Sequence, residues 1–207
     1  VRIVTPGTLT DEALLDERRD SLLVALHRVK NIHGLAHLDL SGGRFVVAQL
    51  HDETALRNEL ERLKPAELLI SEESEPPEGW RQHPGLRRQA SWHFDLASAT
   101  RALCAQFRVH DLDGFGCIDQ PVAVAAAGCL LQYVKNTQRG ALPHLTGLRV
   151  ERHEDSVILD AASRRNLELE QSLSGRHEHT LLGILDRCAT PMGGRLLRRW
   201  LHRPLRD

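Results

Sequence analysis

An unbroken run of ten residues that are apolar or glycine extends from Val122 to Leu131. The pattern continues on both sides, from Pro121 to Val134, so a helix in this segment would be apolar on nearly every face. Because no side of such a helix suits water, the sequence predicts a buried helix with other layers packed around it. The run is about half the ~20 residues that a membrane-spanning helix requires, so we expect no membrane partner.

Alternating side chains in the first half of the chain predict β-strands. Residues 21–27 place apolar side chains on both faces, which is typical of a strand covered on both sides. The next residues show three features: a shared apolar face at 36–40, a Ser-Gly-Gly turn at 41–43 and an apolar run at 45–47. Since glycine supplies the positive φ that a tight turn needs, these residues predict a β-hairpin.

Two aspartates mark the starts of predicted helices. Asp52 and Asp95 each precede an apolar stripe with helical spacing, and the first of these helices must end before Pro65. A short apolar run at 68–70 predicts a buried strand, and residues 87–94 predict another extended segment. Strands interleaved with helices over the first ~110 residues predict an α/β layered domain.

Beyond Val134 the chain is predicted to be mainly helical. Thr190 followed by Pro191 is typical of a helix start, because threonine caps the helix and proline needs no amide partner at the first position. This last helix ends before Pro204 and has an apolar face between Met192 and Leu201. Its other side is basic and carries Arg195, Arg198, Arg199 and Arg203.

The composition excludes several functional classes. The 27 Lys and Arg residues nearly cancel the 28 Asp and Glu residues, so the net charge of −1 does not suit a protein that coats nucleic acid. The motifs G-x-x-x-x-G-K-[ST], H-E-x-x-H, G-x-S-x-G and G-x-G-x-x-G are absent, so ATP binding is not encoded here.

The four cysteines form no C-x-x-C pair and are interpreted as reduced core residues. Without a secretory signal, we expect a cytoplasmic protein.

Asp39 is the strongest catalytic candidate. A strand that carries an aspartate, a Ser-Gly-Gly turn and a returning strand is how ribonuclease-H-like nucleases begin, and Glu67 or Asp95 could complete a two-metal site. No later strand, however, presents an acid within an otherwise apolar run. The favoured interpretation is therefore a solvated aspartate or one paired with an arginine.

Two shorter motifs have a structural interpretation beside a functional one. His177-Glu178-His179 could hold a metal, but a third and fourth ligand at usable spacing are missing. Gly114-Phe115-Gly116 could stack on a nucleotide base, but a turn that buries its aromatic ring is favoured.

Several longer strings, in order along the chain, resemble one family. They are A-A-G-C-L-L-Q-Y at 126–133, D-A-A-S-R-R-N-L-E-L at 160–169 and T-P-M-G-G-R-L-L-R-R-W-L at 190–201. Earlier strings are V-R-I-V-T-P-G-T at 1–8 and L-D-L-S-G-G-R-F at 38–45. Together they resemble MutS, the family of DNA mismatch-recognition ATPases, in its bacterial form.

The resemblance implies an α/β ribonuclease-H-like connector domain without nuclease activity, followed by an all-α segment of the lever domain. It assigns residues 1–20 to an interdomain linker, 21–140 to the connector and 141–207 to the start of the lever, or core, domain. The family's mismatch-reading F-x-E motif is absent here. Because the chain opens on Val1 and its only methionine is Met192, we expect it to be a segment of a longer protein.

The function implied by the resemblance is coupling between mismatch recognition and ATP hydrolysis, with no catalytic, cofactor or metal residues in this segment. Mismatched double-stranded DNA, a second MutS subunit, ATP and magnesium are expected partners and cofactors of the full-length protein. The MutL partner is expected to dock on the connector, and Arg101 and Arg108 are the candidate docking residues. The alternative is a stand-alone ribonuclease-H-like nuclease with Asp39 as a metal ligand.

The resemblance also places a structural corner in the lever. The residues expected to form it are Thr190 as cap, Pro191 as first residue, Gly193 as the point of close approach, Trp200 as anchor, and Met192.

Overall fold

The computed structural model describes residues 20–138 and 141–206, so nearly all of the predicted linker lies outside the described residues. The strands are β1 (Leu22–Val29), β2 (Ile32–Asp39), β3 (Arg44–Leu50), β4 (Glu67–Ser71), β5 (Leu86–Gln89) and β6 (Arg149–Val150). The α-helices are α1 (Glu53–Leu63), α2 (Leu96–Phe107), α3 (Pro121–Gln138), α4 (Ala161–Asn166), α5 (Leu181–Leu185) and α6 (Pro191–His202).

The strands form one mixed sheet in the order β5-β4-β1-β2-β3-β6. β1, β2 and β3 are antiparallel neighbours, whereas β4, β5 and β6 each run parallel to the strand they join. The predicted hairpin is present, with Leu38 opposite Phe45. The sheet and the helices that follow it confirm the predicted fold class, a ribonuclease-H-like α/β domain followed by a helical segment.

Both faces of the sheet are covered, and β1 contributes to two separate cores. Leu23 and Ala25 pack with α2 and α3, whereas Leu22, Val24 and Leu26 pack with α1 on the opposite face. All five side chains are at most 5% exposed, which confirms the prediction of a strand covered on both sides.

Both predicted aspartate caps are present. Asp52 Oδ1 accepts a hydrogen bond from the Ala55 amide at 2.7 Å, and Asp95 Oδ2 accepts one from the Ser98 amide at 2.8 Å. These side chains satisfy amides that have no partner within their own helix.

The extended segment predicted at 87–94 is correct only for its first residues. β5 ends at Gln89, which pairs with the last residue of β4, Ser71. Because β4 offers no further ladder partner, the chain turns into a 3₁₀ helix over Ser91–Phe94. Phe94 is buried there and stacks on His27, with ring centroids 5.0 Å apart.

The predicted buried helix is confirmed as α3, whose residues from Val122 to Leu131 are all buried. Its close packing depends on two glycines. A Cβ atom on Gly34 of β2 would lie 2.2 Å from the carbonyl group of Val122, and one on Gly128 would lie 2.2 Å from the Cβ of Ala99 in α2. Without side chains at these positions, β2 and α2 can both approach α3.

Residues 142–150 belong to the sheet domain and precede the short helices. Leu142, Leu145 and Leu148 are buried in the core beneath α2 and α3, and β6 pairs with β3. The boundary expected at 140/141 stays a prediction. Within residues 20–138 and 141–206, no helix is both long and apolar enough to cross a bilayer.

We predict that Gly34→Ala destabilises the chain by about 1–3 kcal/mol, because the new methyl group overlaps backbone atoms that cannot rotate away. Urea unfolding followed by circular dichroism measures the change. Gly114→Ala is the matched control, since a Cβ there would meet nothing within 4 Å. Equal stability of the two variants would contradict this account of how α3 packs on the sheet.

Candidate functional site

The basic side of α6 faces the rest of the fold, whereas part of its apolar side is exposed. The side chains of Arg195, Arg198 and Arg203 are 16–18% exposed. Met192 is 69% exposed and Trp200 is 61% exposed. Trp200 is therefore mostly exposed, and ionic contacts hold the opposite side of the helix; the anchoring role expected of Trp200 stays a prediction.

We name the contact between α6 and the elements beneath it the α6 joint. It is built around the carboxylates of Asp20, Glu151 and Glu170, and each of them is shared by three basic side chains.

Asp20 lies just before β1, between β3 and α6. Its carboxylate accepts hydrogen bonds from Arg44 Nη2 at 2.8 Å and Arg199 Nη1 at 3.2 Å, and Arg195 Nε lies 3.8 Å away. Arg44 is the first residue of β3, and the other two arginines lie one turn apart on α6. One carboxylate thus ties the sheet to the helix.

Glu151 directly follows β6, and its amide donates a hydrogen bond to the Val47 carbonyl at 2.8 Å. Its Oε2 accepts from Arg62 Nη2 at 2.9 Å and also contacts Arg203 Nη1. The buried His37 lies 3.9 Å away through Nε2, beyond hydrogen-bond distance. Burial raises the pKa of Glu151, but these three side chains outweigh burial, and the net pKa lies well below the ordinary value. Since burial lowers the pKa of His37, the two arginines supply the permanent positive charge.

Glu170 follows α4 and faces the last turn of α6. Its Oε1 lies 2.7 Å from His202 Nε2 and 3.2 Å from Arg198 Nη1, and its Oε2 lies 3.7 Å from Lys64 Nζ at the end of α1. Burial raises the pKa of Glu170, whereas the three basic side chains lower it to about 2. The carboxylate is therefore ionised throughout the neutral range.

Four of the five residues of the predicted corner lie at the start of α6, and Trp200 lies near its end. Thr190 Oγ1 accepts a hydrogen bond from the Gly193 amide at 3.2 Å, and Pro191 is the first helical residue. A Cβ atom on Gly193 would lie 3.0 Å from the Cβ of Cys188, so this glycine allows the close approach between α6 and the preceding segment. A mechanical role for the corner stays a prediction.

The three carboxylates of the nuclease alternative have separate partners. Asp39 Oδ1 accepts from Ser41 Oγ at 2.8 Å and from the Gly42 amide at 3.1 Å, so Asp39 closes the hairpin turn. Glu67 accepts from the Tyr133 hydroxyl at 2.8 Å, and Asp95 caps α2. No group of three or more His, Cys, Asp or Glu residues that could hold a metal is found in the described part of the chain. The structure gives the nuclease alternative no support.

The two shorter motifs lie away from the α6 joint. His177-Glu178-His179 is one exposed turn of 3₁₀ helix, where His179 Nδ1 lies 3.1 Å from Ser174 Oγ. Phe115 is partly buried against Phe107, with ring centroids 5.3 Å apart, as the structural interpretation expects. None of the four cysteines forms a disulfide among the described residues, and two of them, Cys117 and Cys129, are buried.

Arg101 and Arg108 lie on α2, which covers the sheet face opposite α1. Both are exposed, and Arg101 Nη2 donates to Ser98 Oγ at 3.0 Å. Arg108 ends the helix in the left-handed conformation, with φ of 60°.

Sequence reasoning did not find the acidic half of the α6 joint. The available signal was the row of arginines on one side of α6, which predicts acidic partners but not their positions. Asp20, Glu151 and Glu170 are separated in sequence and meet α6 only in the folded chain.

A mixed α/β domain that is joined by ion pairs to a helical segment defines a two-part module. The family comparison agrees with this division. The model of MutS domain II matches residues 21–146, and the model of MutS domain III matches residues 162–207. The chain belongs to the MutS family. Domains II and III are its connector and the start of its core or lever, and they lack catalytic sites themselves.

We predict that acid weakens the α6 joint. The pKa of Glu170 is lower in the folded chain, about 2 against an ordinary 4.5, so its stabilisation is complete above pH 4.5 and is lost as the pH falls towards 2. Glu170→Gln should reduce the loss of stability between pH 6 and pH 3 by about 1–2 kcal/mol. Urea unfolding at the two pH values measures it.

The control for this prediction is Glu178→Gln, which alters an exposed carboxylate outside the α6 joint. It should keep the pH dependence of the unmodified chain. An unchanged pH dependence in Glu170→Gln would contradict the ionic account of the joint.

Proposed function

We propose that this chain is the connector and lever portion of a bacterial-type mismatch-recognition ATPase, and that it transmits conformational change between the mismatch-binding and ATPase parts of the full-length protein. The observation that carries the proposal is the α6 joint. Three shared carboxylates hold a lever helix against the connector sheet. A movement of α6 would therefore shift the ion pairs that connect it to β1, β3, β6 and α1.

The α6 joint suits a role in transmission because of its chemistry. Packed elements move as bodies between a few arrangements, and ion pairs can exchange partners when such bodies shift. A carboxylate that already has three basic neighbours can lose one contact and remain paired, so that breaking one contact costs less than breaking an isolated buried ion pair. An apolar contact of equal size would lose its stabilisation steadily as it opens.

The remaining parts of the proposal concern the full-length protein. ATP and magnesium would bind outside this chain, mismatched double-stranded DNA would be read by another domain, and a second MutS subunit would complete a homodimer. The resemblance to bacterial members supports a cytoplasmic protein. These assignments rest on the resemblance and on family membership.

We predict that Glu151→Gln in the full-length protein uncouples the two activities. Binding of mismatched DNA and basal ATP hydrolysis should be retained, whereas the stimulation of ATP hydrolysis by mismatched DNA should fall between about two- and thirtyfold, the range that coupling energies of 0.5–2 kcal/mol give. Steady-state ATPase assays with matched and mismatched duplexes measure it.

Glu178→Gln is again the control and should keep the full stimulation. Circular dichroism of both variants establishes that they fold. Unchanged stimulation in a folded Glu151→Gln protein would contradict the coupling role.

We also propose that the exposed face of α2 receives MutL. Arg101 and Arg108 give this face positive charge, and Leu96 on the same helix is 42% exposed. Just before the helix, Trp92 is 69% exposed. Exposed aromatic and arginine side chains are the residue types that most often dominate protein interfaces, so this face suits an acidic partner surface.

We predict that reversing the charge at Arg101 and Arg108 to glutamate abolishes capture of MutL by the immobilised 207-residue chain. The matched control is Arg57→Glu, whose side chain is 60% exposed on α1, across the sheet. Surface plasmon resonance compares the variants. Equal binding by the double variant and the control would remove this docking face.

A further inference from the structure

A cavity of about 160 Å³, partly open to water, lies within the α6 joint. It lies between the start of β3, the end of α1 and the last turns of α6, and its polar lining consists of Asp20, Arg44, Arg62, Lys64, Glu170, Arg198, Arg199 and His202. Its volume equals that of about five water molecules in the liquid. The cavity therefore has room for a small ligand with some bound water.

Charge in the α6 joint is not balanced by the chain's own described acids. Five permanent cations line the cavity, against the two carboxylates of Asp20 and Glu170. Including the second carboxylate cluster does not remove the excess. The whole joint has seven Arg and Lys side chains and four acids, the additional members being Arg195, Arg203, Glu59 and Glu151. Asp39 also acts electrostatically on Arg44, so seven basic side chains face five described acids, and positive charge remains in excess in a space that is partly open to water.

Two permanent donors in the cavity wall lack acceptors. Arg44 Nε and Arg198 Nε are buried and have no hydrogen-bond partner among the described residues. A buried donor without an acceptor costs more when it is charged, so such groups need an explanation. Water alone could satisfy the hydrogen bonds, but it would leave the excess charge in place. An anion satisfies both.

We propose that the cavity of the α6 joint is a binding site for a single phosphate group. Guanidinium groups present paired N–H donors that match the oxygen atoms of phosphate, and a lysine adds a compact charge. The two carboxylates in the wall hold the basic side chains in position and oppose the anion, so the net attraction comes from the unbalanced cations. A bound phosphate would connect β3, α1 and α6 through one ion. The site goes beyond the coupling role proposed above.

Inorganic phosphate titrated into the purified 207-residue chain tests the proposal. Isothermal titration calorimetry gives the dissociation constant, and sodium chloride at equal ionic strength is the reference. Phosphate at ten times the dissociation constant should raise the melting temperature by about 3–5 °C relative to chloride. An equal melting temperature in phosphate and chloride, with no heat of binding, would overturn the site.

Two variants locate the binding within the joint. Arg198→Gln should weaken phosphate binding by at least about tenfold, the effect of one charge-assisted hydrogen bond. Lys64→Gln should weaken it in the same direction and, because the lysine side chain is 54% exposed, should fold even where Arg198→Gln does not. The matched control is Arg195→Gln on the same helix, which contacts Asp20 but does not line the cavity. Loss of binding in the control alone, or undiminished binding in Lys64→Gln, would overturn the proposed location.

A third comparison distinguishes the sources of the phosphate group. If adenosine monophosphate competes with inorganic phosphate, the site accepts phosphate monoesters, and if it does not, the free ion is the ligand. Both results support the site. Binding of a short DNA duplex in the absence of any binding of inorganic phosphate would overturn it in favour of an open nucleic-acid surface.

Discussion

The carboxylate of Glu151 connects strands of the sheet with α1 and with the end of α6. It sits at the end of β6, next to β3, and contacts Arg62 of α1 and Arg203 just beyond α6, with His37 of β2 nearby. Removing a carboxylate from water is expensive, and the cost is recovered only where several basic groups surround it. That requirement fixes where α1, β6 and the end of α6 can lie relative to one another.

The α6 joint and the apolar core stabilise different contacts in this fold. The sheet with α1, α2 and α3 is stabilised mainly by burial, and close approach of α3 to the sheet depends on the absence of side chains at Gly34 and Gly128. The contact with α6 relies instead on side chains that stay charged at neutral pH. A shared ionic contact can rearrange without separating the parts it joins, which is why the proposed coupling role is assigned to the joint and not to the core.

The sequence of α6 alone does not predict which of its sides faces the rest of the fold. An isolated amphipathic helix with one apolar and one basic side would be expected to bury the apolar side. Here the carboxylates of Asp20, Glu151 and Glu170 hold the basic side inward, and Met192 and Trp200 are exposed. The same arrangement leaves excess positive charge around the cavity next to Arg44 and Arg198, which is the basis for the proposed phosphate site.

The sequence by itself determined the fold class and many of the elements. The apolar run of α3, the alternation in β1, the Ser-Gly-Gly turn and the caps Asp52 and Asp95 are local signals, because spacing and turn chemistry act over a few residues. The strings shared with MutS identified the family for the same reason. Only the tertiary structure decided where β5 ends, that Asp39 closes a turn rather than joining a metal site, and which acids meet α6. Those outcomes depend on groups distant in sequence, such as Asp20 and Arg199, whose meeting is fixed by the packing of the whole chain.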